Sequence, residues 1–185
     1  MSDIEEETNP IKDYLFDYIE NSEIIPKLVA EKKFDEIIAD VTKNCYDQIL
    51  SMGEKDEAVG VLATGLLHYL LTNALITSQR KIQYNDDKLD IVIPNTKTLE
   101  QDPKKTLLIA IPKSSDIKVI EEKIAKLNKI QSVKENIWIV LSKNIPTGQK
   151  TFILSNEENT FSKIIFEIAQ FTNVHGTSKF KILRI

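Results

Sequence analysis

A single cysteine, Cys45, excludes an intrachain disulfide. That cysteine and two histidines, His68 and His175, are too few for a Cys/His zinc site built from one chain. Glycine (5) and proline (6) are sparse among 185 residues, so low-complexity linkers are scarce. Arginine is nearly missing; only Arg80 and Arg184 occur, and lysine carries the remaining positive charge. The start of the chain lacks the basic and apolar regions of a secretory signal, because Asp3, Glu5, Glu6 and Glu7 crowd it. A cytoplasmic location is the expectation that follows.

What is present fits a folded α/β chain. Hydrophobic residues make up 42% and charged residues 28%. Asn9-Pro10 reads as an N-cap followed by proline at the first helical position, with Ile11, Leu15, Tyr18 and Ile19 recurring at helical spacing. Ile24, Ile25, Leu28 and Val29 form a second apolar set, with Pro26 in its first turn. Residues 34–51 are predicted to form a third helix, with Phe34, Ile37, Ile38, Val41, Cys45 and Ile49 on one face. Residues 58–76 contain no charge over 19 positions, close to the length of a membrane span. Thr64, His68, Thr72 and Asn73 interrupt that stretch, and amphipathic helices precede it. It therefore reads as a buried central helix, with Gly60 and Gly65 admitting a close neighbour and His68 satisfied in the core.

From Arg80 the hydrophobic period changes to that of strands. Residues 80–84 and 88–94 form a candidate hairpin around Asn85-Asp86-Asp87. The second strand should place Lys88, Asp90 and Val92 on one face and Leu89, Ile91 and Ile93 on the other. A polar loop is expected over residues 95–105. Residues 106–112 and 136–142 read as buried strands around a helix bearing Ile117, Ile120, Ile124 and Leu127. Residues 151–154 form a further strand. Ser155 and Glu158 have the spacing of a capping box for the helix carrying Phe161, Ile164, Ile165 and Ile168, and residues 180–185 alternate like an edge strand.

The net charge of −4 conceals two unlike regions. Residues 1–79 hold 16 acids and 6 lysines, a net of −10; residues 80–185 hold 12 acids and 18 lysines or arginines, a net of +6. A basic half of this kind is suited to a polyanion. Nucleotide-binding glycine motifs are missing: Thr147-Gly148-Gln149-Lys150-Thr151 lacks the upstream glycine of a phosphate loop and precedes a strand. Cys45 lies in an apolar stripe, and neither Ser114 nor Ser115 stands in a nucleophile elbow. Trp138, in a buried strand, reads as core, while Tyr84 and Phe180 lie beside basic residues where they could stack on bases.

One acidic constellation remains. Asp90 lies on the strand KLDIVIP, the next strand TLLIAIPK ends at Lys113, and a helix and another strand follow. This order resembles the PD-(D/E)XK superfamily of restriction-endonuclease-like folds over roughly residues 56–142. The resemblance implies a mixed β-sheet flanked by helices, with core order α-β-β-β-α-β. It implies Asp90 as the metal-binding and catalytic carboxylate, Lys113 as the lysine assisting water, and Mg²⁺ as the cofactor of an active member. The sequence departs from the pattern where Ile111 replaces the acid two residues before Lys113, and where Leu89 replaces the proline before Asp90. One carboxylate binds Mg²⁺ weakly, because a hard cation needs several oxygen ligands; Glu57 or Asp116 would have to substitute. The expectation is a divergent, non-cleaving nuclease-like protein. Residues 1–55 form its acidic helical region and residues 56–185 its α/β domain. Arg80, Lys81, Lys88, Lys113 and Lys118 are the candidates to contact DNA or RNA, or to dock on a nucleic-acid-processing complex, and no membrane contact is expected. The alternative is a non-catalytic scaffold whose acidic helices bind a protein partner.

Overall fold

The structure, a computed structural model, describes residues 8–175. Four helices come first: α1 (Pro10–Asn21), α2 (Ile25–Ala30), α3 (Phe34–Leu50) and α4 (Lys55–Asn73). The hairpin β1 (Gln79–Tyr84) and β2 (Asp87–Ile93) follows, then α5 (Thr96–Gln101), β3 (Leu107–Ala110), α6 (Ile117–Ile130), β4 (Ile137–Leu141), β5 (Lys150–Ile153) and α7 (Ile164–His175). The strands form one sheet in the order β1-β2-β3-β4-β5. Pairing is antiparallel from β1 to β3 and parallel from β3 to β5, with α6 as the crossover between β3 and β4.

The local causes are visible at the helix ends. Asn9 Oδ1 accepts the Ile11 amide at 2.9 Å and Pro10 opens α1, burying Ile11, Leu15 and Ile19. The Glu54 carboxylate accepts the Glu57 amide at 3.0 Å and starts α4, which is buried around much of its circumference. No helix among the described residues is long and apolar enough to cross a membrane. The two glycines of α4 permit close approach: a Cβ on Gly65 would stand 2.9 Å from Leu15 Cδ2 of α1, and one on Gly60 would stand 2.8 Å from Lys113 Cγ.

The sheet separates two apolar layers. Ile91, Ile93, Leu107, Ile109, Trp138, Val140 and Phe152 face a large core shared with α1, α2, α3, α4 and α7. Val92, Leu108, Ala110, Ile139 and Ile153 face a smaller one beneath α5 and α6. Alternation fails at Leu89, expected on the face of Ile91; it packs in the layer under α6 instead. The disturbance lies opposite Lys81, a non-glycine residue in the left-handed region (φ 50°), and neither Lys81 nor Asp90 has a register partner in the hairpin. Asn85 (φ 54°) turns the hairpin, a conformation asparagine tolerates.

Two other expectations need correction. The polar stretch 95–105 contains α5 and a 3₁₀ turn, Pro103–Lys105, because Asn95 caps the Thr98 amide at 2.8 Å and Leu99 is buried. Ser155 does bond the Glu158 amide, but Glu158 returns its backbone carbonyl to Ser155 rather than its side chain. The pair closes a turn, and helical structure begins only at Thr160. The expected strand over residues 180–185 lies outside the described residues.

Candidate functional site

Beyond Ile91 and Ile109 the ladder between β2 and β3 stops. The Ile111 amide no longer has a strand carbonyl to meet and instead donates to Asp90 Oδ2 at 2.8 Å. The same oxygen accepts Lys123 Nζ of α6 at 2.5 Å. Both side chains are mostly covered, with relative exposures of 21% for Asp90 and 27% for Lys123. Ile111, where an active nuclease of this pattern would carry its second acid, is 4% exposed in the large core.

A second carboxylate stands at the ends of β3 and β4. Asp56, in the first turn of α4, accepts Ser115 Oγ at 2.7 Å and Ser142 Oγ at 2.5 Å. Burial pushes its pKa up, but the two hydroxyls and the nearby Lys143 ammonium outweigh this and hold it below its ordinary value of 3.8. Neither acid expected to substitute at the site takes that place. Glu57 is exposed on α4, and Asp116 caps α6 by accepting the Lys118 amide at 2.9 Å. A depressed carboxylate stabilises the fold above its ordinary pKa, and that contribution disappears as pH falls through the lowered value. Asp56→Asn should therefore cost about 1–2 kcal/mol at pH 7, the range of hydrogen bonds to a partly solvated charge. The deficit relative to the wild type should shrink below about pH 4, as urea denaturation at both pH values would show.

The donor set does not fit a magnesium ion. The Asp90 oxygen facing α6 already holds an ammonium and an amide, Ile111 offers no oxygen from its side chain, and Asp56 is engaged by two hydroxyls. Among the described residues no group of three or more His, Cys, Asp or Glu is arranged to hold a metal.

The basic residues converge. Partial desolvation, and then the charges of Lys12, Arg80, Lys113 and Lys88, hold the ammonium of the exposed Lys81 below the ordinary lysine pKa of 10.5. Lys81 and three of the other basic residues singled out from the sequence, Arg80 on β1, Lys88 on β2 and Lys113 just after β3, thus lie close enough for those three to act on Lys81. Lys118 is exposed on the first turn of α6. Lys12 was missed because it lies on α1, inside the acidic half of the chain. The stem of Lys113 runs over Gly60, so that glycine sets the path of the side chain across α4. Tyr84 is half-buried against the layer under α6, and Trp138 is core, as expected, with the Lys150 ammonium 4.6 Å from its ring centre.

No family model matches the chain, and no curated protein matches it. A solved structure does. The restriction endonuclease PspGI in complex with its substrate DNA superposes with a TM-score of 0.59 at 14% identity, covering 90% of this chain and 94% of that one. The fold is restriction-endonuclease-like. That agrees with the α/β architecture expected from the sequence, helices with a mixed sheet. At this identity the likeness concerns the fold, so the roles of the residues rest on the geometry given above.

Proposed function

We propose that this restriction-endonuclease-like protein binds DNA without cutting it. The observation that carries this reading is the gathering of Lys12, Arg80, Lys88 and Lys113 around Lys81. Each of these four charges disfavours the charged form of Lys81, and a polyphosphate backbone relieves that repulsion. The similar fold of an endonuclease solved with its substrate DNA supports DNA as the polyanion. The Asp90–Lys123 bond supports the absence of cleavage, because Lys123 supplies as a fixed ammonium the positive charge that a metal ion would bring.

The test is a fluorescein-labelled duplex titrated at several salt concentrations, alongside plasmid incubation with Mg²⁺ or Mn²⁺. Wild type should bind with affinity falling steeply in salt and should leave the plasmid intact. Cleavage that disappears in Asp90→Ala and Lys113→Ala would overturn the non-cleaving reading. Binding that is absent, or indifferent to salt, would leave the scaffold alternative standing.

A further inference from the structure

A groove of about 440 Å³ lies between α1 and α4 where β1 begins. Cations line it from two elements, Lys12 of α1 and Arg80 of β1, and both belong to the group around Lys81. Each helix adds one half-buried aromatic side chain, Phe16 and Tyr69. Asn73 lies beside them, its Nδ2 donating to the Tyr69 carbonyl at 2.8 Å. His68 also faces this groove, half-buried, rather than the core as its apolar neighbours suggested. Among the described residues Asp13 is the one acid on the lining.

This mixture differs from that of the open basic patch. A duplex presents phosphates to a surface but keeps its base faces stacked inside. Aromatic faces flanked by cations, in a concavity the size of a small-ligand site, suit a nucleotide whose base is exposed. We propose that the groove takes an unpaired, phosphate-bearing nucleotide, so that the protein prefers nucleic acid with a single-stranded overhang to a blunt duplex. The phosphate sits between Lys12 and Arg80, and the base lies against Tyr69 and Phe16. The inference rests on the nucleic-acid-binding reading and adds to it the form of the substrate.

The experiment is fluorescence anisotropy with two labelled probes carrying the same duplex, one blunt and one with a short single-stranded overhang. The overhang probe should bind roughly tenfold more tightly, the scale of one base stacked on an aromatic ring. Tyr69→Leu and, separately, Phe16→Leu should reduce that preference several-fold, with thermal melting confirming that each variant folds. Equal affinity of wild type for the two probes would overturn the inference while leaving DNA binding in place. A preference unchanged in both folded variants would also overturn it. Failure of both probes to bind would overturn the underlying reading as well.

Discussion

Replacing Lys81, Lys88 and Lys113 together by alanine should weaken duplex binding by about a hundredfold at moderate salt, at roughly 1 kcal/mol for each phosphate left without its lysine. The slope of log affinity against log salt should become shallower by about 3, because each neutralised phosphate releases close to one counterion. The three side chains are exposed, and removing mutually repelling charges does not unfold a protein, so the melting temperature should stay within a few degrees. The corresponding triple arginine variant should restore both affinity and slope, since it keeps the charge. Lys81 adds a pH signature. Its pKa lies below 10.5, so the ammonium discharges at a lower alkaline pH than an ordinary lysine. Affinity should fall as pH rises through that lowered value, and Lys81→Arg should move the fall to higher pH. An unchanged salt slope in the triple alanine variant would show that the patch does not face the phosphates.

Lys123→Ala should destabilise the fold by about 1–3 kcal/mol, less than the 3–5 kcal/mol of a fully buried pair because both partners keep some contact with water. The cost arises from leaving Asp90 charged beside the apolar Ile111 with only an amide as partner. Asp90→Ala alone should cost a comparable amount, for it strands Lys123 and the Ile111 amide. The double variant should recover part of the loss, since an unpartnered charge is worse than a missing pair. Urea denaturation of the four proteins forms a double-mutant cycle that checks this. The wild-type melting temperature should not respond to Mg²⁺, because only a ligand bound by the folded state raises it. A saturable rise that Asp90→Ala abolishes would mean that the ion displaces Lys123.

Much of the fold was legible because local and global signals agree. Asn9-Pro10 with the stripe Ile11, Leu15 and Ile19 states where α1 begins and which face is buried. Strands β3 and β4 are apolar on both faces, as central strands covered on both sides must be. The failures are equally local. In α5 a single apolar residue, Leu99, provides no periodicity, and only the Asn95 cap marks a helix. The spacing of Ser155 and Glu158 matches a capping box, yet the same two hydrogen-bonding groups close a turn just as well.

The site divides along the same line. The order of elements put Asp90 on β2 and Lys113 just after the neighbouring β3, and the shift in charge at Arg80 marked the basic half. The partner of Asp90 lies 33 residues away on α6, and Ser142 lies 86 residues from Asp56. Such pairs form only when α6 packs on the sheet and α4 reaches the strand ends. The choice between Asp56 and Glu57 illustrates the reason. Adjacent helical residues point about 100° apart, so the phase of α4, set by the Glu54 cap and the close approach at Gly60 and Gly65, decides which carboxylate turns inward. The sequence by itself determined most of the elements, their order and the sign of charge each half carries, because these depend on neighbours along the chain. Only the tertiary structure decided that Lys123 neutralises Asp90 and that Lys12 joins the basic cluster, because helix packing brings those side chains together across long separations in the chain.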